Sequence, residues 1–142
     1  MVGGRQTLGV PDDFEPLLVA QESAWNTRLA LRGAFDVHLS KLYVEPRLGF
    51  PGMQGRKTLS EWLAGELLGP KRLVITGEVG SGKSELLNVT AARLAARARG
   101  DDFAPIPLLV DAIELKSRGD LQEAATRMWP QARGAVATLL AA

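Results

Sequence analysis

The stretch Gly77-Glu78-Val79-Gly80-Ser81-Gly82-Lys83-Ser84 constrains this chain more than any other part of it. It fits the pattern G-x-x-x-x-G-K-[S/T] at each fixed position. Glycine adopts dihedrals closed to other residues and lets a backbone come close to another group. Several amide N–H groups can then converge on one small region, as a cluster of phosphate oxygens requires. The run before the loop, Arg72-Leu73-Val74-Ile75-Thr76, has the length and β-branched apolar character of a buried strand. After the loop, residues 83–99 place Leu86, Leu87, Thr90, Ala91, Leu94 and Ala98 on one helical stripe. A loop so placed opens onto a helix N-terminus, whose unpaired amides and dipole favour anions. The expected nucleotide-binding residues are therefore Gly77, Glu78, Val79, Gly80, Ser81, Gly82, Lys83 and Ser84. Lys83 is expected on the β- and γ-phosphates and the Ser84 hydroxyl on Mg²⁺, with ATP and Mg²⁺ as the cofactors. The Glu78 carboxylate should turn outward, because a polyphosphate would repel it. A dinucleotide fingerprint, G-x-G-x-x-G, does not fit, since Glu85 stands where its last glycine would be.

Downstream, Gly100-Asp101-Asp102 breaks the helix and Ile106-Pro107-Leu108-Leu109-Val110 reads as a second buried strand. Strand, helix, strand in that order implies a parallel βαβ unit with a right-handed crossover. The expected fold is thus α/β, a P-loop NTPase βαβ core with an incomplete sheet, preceded by a helical N-terminal segment. Three regions are expected. Residues 1–16, punctuated by Gly3, Gly4, Gly9, Pro11 and Pro16, read as a flexible N-terminus. Residues 17–57 read as a helical lead-in: a helical pattern to about Lys41 interrupted at Gly33, the extended stretch Leu42–Leu48, and a loop from Phe50 to Gly55. Residues 58–142 read as a partial P-loop domain, truncated before a Walker B strand. It opens on Thr58 and Glu61, spaced as a capping box, with Trp62, Leu63, Leu67 and Leu68 as an apolar face closed by Gly69-Pro70. A further helix around Leu121, Ala124, Ala125 and Met128 should stop at Pro130, and the apolar tail Val136, Leu139 and Leu140 calls for a covering surface.

Composition removes other classes. Lys plus Arg is 17 against Asp plus Glu 16, a net charge of +1, which argues against nucleic-acid binding by bulk charge. With no Cys and one His, disulfide frameworks, thiolate zinc sites and cysteine nucleophiles are excluded, and a His-based triad is not expected. No run reaches the roughly 20 apolar residues of a membrane span. Asp12, Asp13 and Glu15 stand where a secretory signal would be apolar. The chain is expected to be cytoplasmic, without membrane or nucleic-acid partners.

The region from Leu42 to about Lys116 resembles the opening of a NACHT domain, in the STAND class of signalling P-loop NTPases. The resemblance is carried by Tyr43-Val44-Glu45-Pro46-Arg47-Leu48, by Thr58-Leu59-Ser60-Glu61-Trp62-Leu63, and by Leu73 through Leu87. Ile106-Pro107-Leu108-Leu109-Val110 is similar to the family's second strand, and Ala112-Ile113-Glu114-Leu115 to the turn after it. The resemblance implies a nucleotide-dependent switch that oligomerises to trigger an effector, often in antiviral defence. Homo-oligomers or a full-length homologue would be its partners. A Walker B strand, an arginine sensor and a repeat array are not found in this sequence, so weak or absent turnover is expected of this chain alone.

Asp111 has two readings. It can cap the turn after a second strand, which is the expected role, or orient Mg²⁺ as the acid of a small phosphoryl-transfer enzyme. No other catalytic residue is identified. A third reading is a non-catalytic module docking to a full-length homologue. His38 is expected to be an ordinary surface or packing residue, Trp25, Trp62 and Trp129 core anchors, and Arg93, Arg97 and Arg99 a solvated helix end.

Overall fold

The computed structural model describes residues 12–31, 36–49, 51–52, 54–59, 61, 73–118 and 120–141. The chain enters through a 3-10 turn, Asp12–Phe14, into α1, Glu15–Asn26. Pro16 sits in the first turn of α1, where its missing N–H is harmless and its fixed φ suits the helix. Helical structure therefore starts before the expected boundary at Leu17, and Phe14 is already buried. The helix also stops earlier than Lys41. The Thr27 N–H and hydroxyl both donate to the Ser23 carbonyl, at 2.9 and 2.7 Å, and close the last turn.

Two antiparallel ribbons follow. β1, Leu29–Leu31, pairs with β2, Val37–His38, around an irregular register. A single helical turn, α2, Leu39–Leu42, leads to β3, Arg47–Gly49, which pairs with β4, Arg56–Thr58. Gly52 and Gly55 in the connection have positive φ, as tight loops of this kind favour. At Thr58 the side-chain oxygen accepts the Glu61 N–H at 3.2 Å, one half of the anticipated capping box. Gly33, Phe50, Trp62, Leu63, Leu67, Leu68, the Gly69-Pro70 stop and residues 1–11 lie outside the described residues.

The rest is helical. α3 spans Lys83–Gly100, α4 Ala112–Arg118, α5 Leu121–Met128 and α6 Arg133–Ala141, the last preceded by a 3-10 turn at Pro130–Ala132. Asp120 caps α5, its carboxylate accepting the Gln122 and Glu123 N–H groups. α1 and α3 form the main helix pair. One core cluster joins Phe14, Leu17 and Leu18 to Ala95 and Ala98 of α3, Ala125, Trp129 and Val136. A second joins Trp25, Leu59, Leu86, Val89 and Ala92, with Tyr43, Leu48 and Ile75 packed against it. Leu17, Leu18 and Leu86 are fully buried, each contributing about 2 kcal/mol of apolar burial. Leu139 and Leu140 pack on the first cluster, so the chain itself covers much of its apolar tail.

The two anticipated strands are in no ladder among the described residues; the sheets described are antiparallel ribbons elsewhere. Of residues 73–76, Ile75 reaches the core while Val74 is 86% exposed. One edge of residues 107–111 is bonded to side chains. The Gln21 amide donates to the Pro107 carbonyl and accepts the Leu109 N–H, both at 2.8 Å. The Trp129 indole donates to the Leu109 carbonyl at 2.8 Å, and the Asp111 N–H reaches the Met128 sulfur at 2.9 Å. Positions 107, 109 and 111 share one edge of an extended backbone, so side chains hold that edge in place of a neighbouring strand.

Candidate phosphate-binding loop

Residues 77–84 form a tight loop running straight into α3. The Ser81 N–H donates to the Glu78 carbonyl at 3.1 Å, closing a four-residue turn. Its third position is Gly80, at φ +79°, where a side chain would be strained. Gly82, the residue before α3, lies at φ +90° in the left-handed region and has no side chain to cap the helix. The first i to i−4 bond of α3 runs from the Leu86 N–H to the Gly82 carbonyl, 2.9 Å. The amides of Lys83, Ser84 and Glu85 precede that bond and form the donor-rich end of the helix.

Gly77 meets a different constraint. A Cβ there would lie 2.8 Å from the Ser81 hydroxyl oxygen. A side chain at residue 77 would therefore oblige the Ser81 hydroxyl to rotate away.

The Lys83 ammonium lies across this turn. It donates to the Gly77 and Glu78 carbonyls, both at 2.7 Å, and to the Ser81 hydroxyl at 3.3 Å. An ammonium has three donors, so all three have protein acceptors. The Ser81 contact is the longest and is the natural one for an incoming anion to replace. Ser84 is exposed at the start of α3. Glu78 is exposed and Val79, at the tip, is fully so.

The lead-in segment is fastened to α3 by charge as well as by apolar packing. Arg28 pairs with Glu85 at 2.5 Å, Arg93 pairs with Glu45, and Arg99 reaches both Glu15 and Glu22, at 3.0 and 2.7 Å. Arg93 and Arg99 are exposed, as expected of a solvated helix end, and also reach across to carboxylates of the N-terminal segments. Trp25 meets Tyr43 edge-on, ring centroids 5.1 Å apart. The Tyr43 phenol is held above its usual pKa, first by burial and then by the Glu45 charge, with Arg93 opposing. Neither the Tyr43 hydroxyl nor the Glu85 Oε2 atom has a hydrogen-bond partner among the described residues, though both atoms are buried. Arg28 and Glu85 escaped the sequence reading, because their pairing spans more than fifty positions and no local spacing announces it.

Asp111 acts as a cap. Its Oδ1 accepts the Ile113 N–H at 2.8 Å, and its carbonyl accepts the Leu115 N–H at 3.1 Å, starting α4. Trp25 and Trp129 are core residues, and His38 is exposed.

The residues present fit a polyphosphate with its Mg²⁺. Gly80 in the turn and Gly82 before α3 are left-handed, and an ammonium and a hydroxyl stand at a helix start. The chain matches no protein-family model, no curated protein and no solved structure. Among the described residues, no helix is long and apolar enough to cross a membrane.

Proposed function

We propose that this chain binds a nucleoside triphosphate, ATP with Mg²⁺, through residues 77–84, as the opening of a NACHT-type switch. The observation that carries the reading is the turn with Gly80 and Gly82 at positive φ, leading into α3 with the Lys83 ammonium across it. The α3 amides would face phosphate oxygens. Lys83 would exchange its Ser81 contact for one of them, and Ser84 would hold the metal. The Mg²⁺ would supply charge neutralisation between phosphates. Cytoplasmic placement and oligomerisation with its own kind belong to the same proposal.

Asp111 is committed to the α4 cap, so the described geometry gives the phosphoryl-transfer reading no support. Binding without steady turnover is the expected behaviour of this chain on its own. Titration with a fluorescent ATP analogue tests the reading. Lys83→Ala should lose binding by at least about a hundredfold while keeping the far-UV circular dichroism of the wild type. Equal affinity in the two proteins would overturn the proposal.

A further inference from the structure

We propose that Arg28, through its ion pair with Glu85, sets the charge of the loop at residues 77–84 and is a positioning residue for polyphosphate there. This rests on the nucleotide-binding reading. Glu85 directly follows Ser84 and lies in the first turn of α3. That is where the helix field draws anions, so its carboxylate competes with a phosphate for the same attraction. Glu78, Lys83 and Glu85 together give residues 77–85 a side-chain charge of −1. A site for a polyanion is ill served by that sign. Arg28 brings the local sum to zero.

The geometry makes Arg28 the specific partner. Its Nη2 lies 2.5 Å from Glu85 Oε1, while Glu85 Oε2 is buried without a hydrogen bond among the described residues. Without Arg28, the carboxylate would have no partner there and would be free to turn toward the loop amides. The Arg28 backbone is tied on both sides. Its N–H donates to the Trp25 carbonyl at 3.2 Å, and its carbonyl accepts the Leu39 N–H at 2.8 Å. Trp25 in turn packs with Leu86 and Val89 of α3. The lead-in segment therefore delivers the guanidinium to the first turn of α3 at a fixed place, and part of it stays exposed to solvent.

The test is titration of Mg²⁺-ATP and Mg²⁺-ADP onto the full chain. Arg28→Ala should weaken ATP binding about tenfold and ADP binding less, because the charge on the ligand is smaller. Arg28→Lys should restore most of the loss. Glu85→Gln in the Arg28→Ala background should also restore it, since the offending charge is gone. Glu85→Gln alone, which leaves Arg28 uncompensated, should tighten ATP binding severalfold and serves if Arg28→Ala does not fold. A wild type that binds ATP, with unchanged affinity in Arg28→Ala or no tightening in Glu85→Gln alone, would overturn this inference and leave the nucleotide reading standing. A wild type that binds neither nucleotide would overturn both.

Discussion

Single residues carry the loop. Gly80 and Gly82 hold φ values of +79° and +90°, and a substitution to an L residue at such a position costs about 1–2 kcal/mol. Lys83 matters through its three bonds rather than its charge alone. Tyr43 illustrates the opposite case, a buried hydroxyl without a hydrogen-bond partner. Leaving such a group unpaired costs about 1–3 kcal/mol, so Tyr43→Phe should leave the melting temperature unchanged or raise it. The phenol's raised pKa favours the neutral form in the fold. Its contribution is therefore complete below the ordinary phenol value and is lost as pH rises through the higher, folded one. Thermal melts in alkaline buffer should show the wild type losing more stability than Tyr43→Phe. An equal loss in both would refute the assignment.

Among elements, the region after α3 is the most instructive. The short apolar run Ile106-Pro107-Leu108-Leu109-Val110 has the composition of a strand, yet Gln21 of α1 holds the backbone groups of Pro107 and Leu109. Gln21 is 2% exposed, an amide placed in a core for this bonding. Gln21→Leu keeps the volume and removes both bonds. It should destabilise the chain by about 2–3 kcal/mol in urea unfolding, and a change below about 0.5 kcal/mol would contradict the bridging role. Of the helices after this segment, α5 was legible in advance, whereas residues 112–115 read as a turn and the apolar tail was not read as a helix. Asp120 caps α5 and Pro130 follows its end, signals that act within one turn of the chain. The shorter α1 was not legible, because the Thr27 closure and the ribbon after it depend on what Leu29 and Leu39 meet.

Across the whole molecule, the lead-in segment and α3 behave as one packed body. Both core clusters draw on each of them, and ion pairs cross between them at Arg28, Arg93 and Arg99. Exposed ion pairs of this kind contribute little individually, so the apolar clusters carry most of the stability. Val136, fully buried on α6, reports on that packing. Val136→Ala should lower stability by about 2 kcal/mol by chemical denaturation, and a neutral result would mean that α6 is not docked in solution.

Local chemistry determined the glycine turn at residues 77–82, the start of α3, and the Asp111 and Asp120 caps. Each depends on residues within a few positions of one another, where spacing and dihedral preference are decisive. Tertiary structure alone decided that Gln21 and Trp129 bond the segment expected to be a strand, that the C-terminal leucines pack on α1's core, and that Arg28 meets Glu85. Those contacts join residues far apart in the chain, and only packing of the intervening elements brings them within bonding distance.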